Sequence, residues 1–207
     1  MPRIIPTIGL LLLLFSLSAN ALERSLLVLG DSLSAAYGIP REAGWVQLLE
    51  RRLAALRPPW RLVNASISGE TTAGGLTRLP RLLERHRPRL VIIELGSNDG
   101  LRGLSLARME ENLHAMIGLA RARGARVLLV GGRLPPNYGE AYATAFRQGF
   151  QALAESEQVA LVPFLLAGVA EDRQQMQADG YHPRAEAQPR LLENVWPRLE
   201  ALLGDDD

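Results

Sequence analysis

The stretch Leu26-Leu27-Val28-Leu29-Gly30-Asp31-Ser32-Leu33-Ser34 joins an unbroken apolar run to a small, polar turn. Consecutive rather than alternating apolar residues fit a strand buried on both faces, as in a parallel sheet covered by helices on either side. Four further β-branched or apolar runs follow, at 61–64, 90–95, 126–130 and 160–163. Between them apolar residues recur at helical spacing. Trp45, Leu48, Leu49, Leu53 and Leu56 form one stripe, and Met109, Leu113, Met116, Ile117 and Ala120 another. Strands alternating with helices imply right-handed crossovers and an α/β fold of three layers, α/β/α, around a five-stranded parallel sheet. A last helix over residues 183–203 is expected to close the domain. In such sheets ligands bind beyond the carboxyl ends of the strands, so chemistry is to be sought where the strands stop.

Composition narrows that chemistry. Arg3, the apolar residues 8–17 and Ala19-Asn20-Ala21 read as an export leader with cleavage after Ala21. The apolar run falls short of the roughly 20 residues that a membrane span needs. Of the 207 residues, the 21 of the leader leave 186 for one domain, residues 22–207, with a periplasmic or secreted location expected. There is no cysteine, which removes thiolate nucleophiles, cysteine-ligated metals, disulfides and a lipid anchor. All 23 basic residues are arginines, so Schiff-base chemistry, serine–lysine dyads and a P-loop lysine are excluded too. Without Arg3 the arginines balance the 22 acids, which argues against a nucleic-acid partner. The arginine-rich stretch 78–89 reads as a solvated helix face.

Four strand ends carry reactive or oxyanion-binding groups. After the first, Gly30 permits a sharp turn and Ser32 is expected at the start of the next helix, its hydroxyl presented outward among backbone N–H groups. Those residues alone fit a helix N-cap equally well. After the second comes Asn64-Ala65-Ser66-Ile67-Ser68-Gly69, where Gly69 could offer an unobstructed N–H or simply make a turn. After the third, Gly96-Ser97-Asn98-Asp99-Gly100 could project the Asn98 amide, with Asp99 bracing the turn. Gly131-Gly132 and the loop Leu134-Pro135-Pro136-Asn137-Tyr138 read as pocket wall. Of three histidines, His86 sits among arginines and His114 flanks a helix stripe. Only His182, in Asp179-Gly180-Tyr181-His182-Pro183, has a carboxylate three residues earlier in a glycine-containing turn. Asp179 can hold one imidazole nitrogen while the other faces outward, which is what a serine needs to become nucleophilic near neutrality. Pro183 is expected to begin the final helix.

These blocks, Gly30-Asp31-Ser32-Leu33-Ser34, Gly69, Gly96-x-Asn98-Asp99 and Asp179-x-x-His182-Pro183, resemble those of the SGNH (GDSL) hydrolases. Longer stretches at 62–69, 98–103, 134–139 and 187–189 are similar to its bacterial periplasmic thioesterase I/lysophospholipase/arylesterase branch. The resemblance implies a flavodoxin-like fold and a hydrolase of carboxylic esters and thioesters working through an acyl-enzyme. It implies Ser32 as nucleophile, His182 as general base and acid, and Asp179 as its orienting partner. The implied oxyanion hole is the Ser32 and Gly69 N–H groups with the Asn98 side chain. Ser97 and Tyr181 depart from the branch, which usually has glycine and isoleucine there.

The apolar Leu101, Leu104, Leu134, Pro135 and Pro136, with Tyr181, are expected to receive an acyl chain. That favours acyl esters over acetylated carbohydrates, the nearest alternative substrate. A flavin- or nucleotide-binding module of the same fold is disfavoured by the missing glycine-rich motifs, and an α/β-hydrolase elbow by the missing G-x-S-x-G. No cofactor or metal is expected, nor stable membrane insertion once the leader is gone, and the chain is expected to act as a monomer on a small-molecule ester. Residues 71–79, with Gly74-Gly75, are expected to form a flexible lip over the site.

Overall fold

The computed structural model describes residues 24–204. The leader expected over residues 1–21 and the end of the acidic tail lie outside the described residues. Five strands form where the apolar runs place them: β1 Ser25–Gly30, β2 Arg61–Asn64, β3 Leu90–Glu94, β4 Arg126–Val130 and β5 Ala160–Val162. All neighbours are parallel, in the order β2-β1-β3-β4-β5.

The unbroken apolar runs arise because each strand feeds two cores. Leu26, Val28, Leu90, Ile92, Leu128 and Val130 face one, while Leu27, Leu29, Val91, Ile93, Val127 and Leu129 face the other. The first core is closed by α1 (Trp45–Ala54) and α6 (Gln188–Leu203), through Trp45, Leu49 and Leu53 on one and Leu191, Val195 and Leu199 on the other. The second is closed by α2 (Thr72–His86), α4 (Leu106–Ala122) and α5 (Glu140–Glu157). There Phe146 and Phe150 meet edge to face, 5.3 Å between centroids. Without disulfides, stability rests on this packing, and truncating any one of these leucines to alanine would cost about 2–5 kcal/mol.

The chain leaves β1 toward β2, then crosses back to β3 on the other side of β1 and continues outward to β4 and β5. The strand order therefore reverses between β1 and β3, opening a crevice at their carboxyl ends. Ser32 follows β1 there, and Asn98 lies in the short helix α3 (Ser97–Leu101) after β3.

Three local expectations are corrected. Ser32 does not open a helix: residues 32–38 form consecutive turns, and the next helix proper is α1. Pro183 does not begin the last helix. It pairs with Met176 in an isolated antiparallel bridge, flanked by Gln177 N–H donating to the His182 carbonyl and Arg184 N–H to that of Gln175, both at 2.7 Å. The helix starts only at Gln188, where Pro189 occupies its first turn without losing a needed hydrogen bond. Residues 71–79 are no lip either. The Thr71 hydroxyl caps α2 by accepting from Gly74 N–H at 3.4 Å, and Gly75 is buried so tightly that a Cβ there would overlap Leu95.

Candidate active site

Gly30 serves close approach rather than an unusual backbone angle. A Cβ on it would lie 2.7 Å from Ser34 Oγ and 2.8 Å from Glu94 Oε2. Beyond it Asp31 is buried and organises the turn: its carbonyl accepts from Ala35 N–H at 3.0 Å and its Oδ1 from Leu33 N–H at 3.0 Å. Ser32 is thus held in a hydrogen-bonded loop with its side chain half-buried at the crevice.

His182 arrives from the far end of the chain, 150 residues later, with Nε2 2.8 Å from Ser32 Oγ. Its Nδ1 lies 2.7 Å from Asp179 Oδ2, while Asp179 Oδ1 accepts from the Tyr181 and His182 N–H groups at 2.9 and 3.0 Å. Burial works against charge on Asp179. The bond from the His182 ring and the two backbone bonds outweigh it and hold the carboxyl below its ordinary 3.8. An ionised carboxylate only accepts, so Nδ1 carries the ring proton and the Nε2 lone pair is left for the Ser32 hydroxyl.

Gly69 and Asn98 flank the same crevice. Gly69 has φ +78°, and its carbonyl accepts from Arg102 Nη2 at 2.8 Å. Gly96, at φ +113°, turns the chain so that α3 can begin immediately; a Cβ on it would come within 2.8 Å of Phe150. Asn98 Nδ2 donates to Asp31 Oδ2 at 2.9 Å. The turn is braced from below as expected of Asp99, which is buried and accepts from Thr72 N–H at 2.9 Å and Thr72 Oγ1 at 2.6 Å. Asn112 Nδ2 completes that network at 3.0 Å from Thr72 Oγ1. His86 and His114 stand apart; His114 pairs on the surface with Glu157 at 2.8 Å.

Ser32, Gly69, Asn98 and His182 border one open cavity of about 780 Å³. Leu101, Leu134, Pro135 and Tyr181 line it. Leu104 does not: it is 44% exposed on the outer surface. Phe164, Leu165 and Leu166, which follow β5, were not singled out by sequence and extend the apolar wall. Among the described residues no cluster of acids and histidines could hold a metal, and no helix is long and apolar enough to cross a membrane.

Sequence reading also missed Glu94. It ends β3 fully buried, its Oε2 accepting from Ser34 Oγ at 2.7 Å and from Asp31 N–H at 3.3 Å. Burial first, and the neighbouring Asp31 charge second, push the Glu94 carboxyl well above its usual range. Asp31 is itself pushed up to about 6 by burial, against the Leu33 N–H, the His182 charge and the Asn98 amide. The one signal for it was an acid closing an otherwise apolar strand.

The chain is similar over nearly all its length to known proteins. It is 56% identical over 192 residues to esterase TesA of Pseudomonas aeruginosa, covering 93% of this chain and 96% of the relative. It is 41% identical over 202 residues to thioesterase 1/protease 1/lysophospholipase L1 of Escherichia coli K12, covering 98% and 94%. The psychrotrophic esterase EstA from Pseudoalteromonas sp., in a crystal structure inhibited by monoethylphosphonate, superposes with a TM-score of 0.83 at 40% identity, over 88% of this chain and all of that one. Residues 28–189 match the GDSL-like lipase/acylhydrolase family, and the chain belongs to that family.

Proposed function

We propose that this chain is a serine hydrolase of carboxylic esters and thioesters, with Ser32 as nucleophile, His182 as general base and acid, and Asp179 as its orienting partner. The observation that carries this reading is the unbroken hydrogen-bonded chain Ser32 Oγ–His182 Nε2 and His182 Nδ1–Asp179 Oδ2, at 2.8 and 2.7 Å, at the mouth of an apolar cavity. Nε2 takes the hydroxyl proton as Oγ attacks the acyl carbonyl, and the resulting imidazolium is balanced by the Asp179 carboxylate. The developing oxyanion is received by the N–H groups of Ser32 and Gly69 and the Asn98 amide, each such donor worth about 3 kcal/mol of barrier. The imidazolium then protonates the leaving alcohol or thiol. Water attacks the acyl-enzyme with the same base and regenerates Ser32 as the acid departs.

The acyl chain would lie along Leu101, Leu134, Pro135 and Tyr181. The relatives' names, esterase and thioesterase/lysophospholipase, support esters and thioesters alike, with aryl esters open to the same triad. The leader-like first 21 residues support export to the periplasm or beyond, and an exported protein beginning at Leu22 would test that.

The deciding experiment labels the wild type and Ser32→Ala with a fluorophosphonate probe and assays p-nitrophenyl esters, acyl-CoA and lysophospholipids side by side. Labelling lost in Ser32→Ala, with turnover of esters and thioesters by the wild type, is the expected result. Labelling that persists in Ser32→Ala overturns the assignment.

A further inference from the structure

Two residues outside the Ser32–His182–Asp179 chain tie its two halves together. Tyr37 lies in the loop that carries Ser32, and its N–H donates to the Ser32 carbonyl at 3.1 Å. Its ring rests on the His182 imidazole, with centroids 4.5 Å apart and planes inclined by 40°. The Tyr37 carbonyl accepts from Gln177 Nε2 at 2.8 Å, and the same amide donates to the Pro183 carbonyl at 3.0 Å. A side-chain amide has two N–H donors, so both are used. The backbone N–H of Gln177 adds the 2.7 Å bond to the His182 carbonyl.

Gln177 therefore holds the His182 and Pro183 carbonyls and reaches the Ser32 loop, 140 residues away in sequence. Gly38 keeps that grip possible: it has φ +73°, and a Cβ on it would overlap Gln177 Oε1.

We propose that Tyr37 and Gln177 are positioning residues of the hydrolytic reaction. Gln177 locks the Ser32 loop to the His182 turn, and the Tyr37 ring favours the imidazolium that forms when Ser32 gives up its proton. This rests on the serine-hydrolase reading above. A cation over an aromatic ring within about 6 Å of its centroid is attracted by the ring's quadrupole. The neutral imidazole gains less, so the contact strengthens as the reaction proceeds, which is what acceleration requires. The Tyr37 hydroxyl plays no part in the clamp; its ring and its carbonyl do the holding.

The test uses the full chain with Tyr37→Phe, Tyr37→Leu and Gln177→Glu, reading kcat and KM on p-nitrophenyl butyrate and the rate of Ser32 labelling by a fluorophosphonate. Tyr37→Phe should stay within about twofold of wild type. Tyr37→Leu should lower kcat and the labelling rate by about tenfold, the size of one such contact, with KM within about twofold. Gln177→Glu should lose a similar factor in kcat, because a carboxylate offers no N–H to the Tyr37 and Pro183 carbonyls. Tyr37 is 52% exposed, so Tyr37→Leu carries the test should Gln177→Glu not fold. A Tyr37→Leu enzyme with wild-type kcat overturns the proposal, as does a loss confined to KM, which would make the ring merely part of the substrate wall. If Ser32→Ala loses labelling while Tyr37→Leu matches wild type, this proposal alone fails; if Ser32→Ala is still labelled, the serine-hydrolase reading fails.

Discussion

Asn98 and Asp31 are joined across the point where the strand order reverses, the Asn98 amide donating to Asp31 Oδ2 at 2.9 Å. One N–H is committed to the residue beside Ser32, leaving the other for an oxyanion. A terminal amide turns broadly about its last torsion, and this bond selects one orientation. The serine and its proposed oxyanion donor are therefore set by adjacent residues of one loop.

Removing the donor and removing its holder should differ in size. Asn98→Ala should lower kcat by about 10²–10³-fold with little change in KM, as for loss of one oxyanion donor. Asp31→Ala should lower it by about tenfold and add little in the double variant, since both act through the same N–H. Steady-state kinetics on a double-mutant cycle will measure this, and fully additive losses would separate the two residues.

Buried carboxyls should make stability fall with rising pH. Asp31 is raised from 3.8 to about 6, and Glu94 is raised as well. Carboxyls whose folded pKa lies above the unfolded one bind more protons in the native state, so stability is lost as pH climbs from about 4 through 6 and beyond. Asp179, held low, acts in the opposite sense, and its contribution disappears only as pH falls below 3.8. Glu94→Gln mimics the protonated acid and keeps an acceptor for Ser34. Its melting temperature should therefore decline less between pH 4 and pH 8 than that of wild type, and a steeper decline would contradict the account.

Chain-length preference should follow the wall that Leu101 helps to build. Leu101→Trp would fill part of the cavity. Excluding two methylenes forfeits about 1.6 kcal/mol at ~0.8 kcal/mol each, or roughly 15-fold in kcat/KM for long chains. Acetate esters should be spared, and a p-nitrophenyl ester series from acetate to dodecanoate will read the difference.

The network beneath Asn98 should matter for stability. Thr72 Oγ1 donates to Asp99 at 2.6 Å and accepts from Asn112 at 3.0 Å, all three residues buried. Thr72→Val keeps the shape but strands two polar groups, at about 1–3 kcal/mol. Urea unfolding should show a lower midpoint at unchanged slope; an unshifted midpoint would show the network to be idle.

Much of the molecule was legible in its residues one after another. Five apolar runs, most of them near-continuous, read as strands of a sheet covered on both faces, and the strands sit where the runs are. Asp179 and His182 meet because three residues of a glycine-containing turn bring them together, a local geometry that spacing encodes. What spacing could not encode was the start of the last helix. Pro183 suits a first helical turn, yet its place is taken by a bridge to Met176, whose partner residues are decided by the tertiary fold. The flexibility read into Gly74-Gly75 failed for the same reason: the side chain packed against Gly75 is that of Leu95, just past β3, which residues 71–79 alone do not reveal.

The sequence by itself determined the sheet and its strand ends, and it singled out Ser32, Asp179 and His182 as the candidates for chemistry there. Only the tertiary structure decided that Glu94 lies against Asp31, 63 residues away, and that Gln177 reaches Tyr37, 140 residues away. Propensity and periodicity are properties of neighbours along the chain. The environment that orients a serine and a histidine is made by residues that only chain crossing brings into contact.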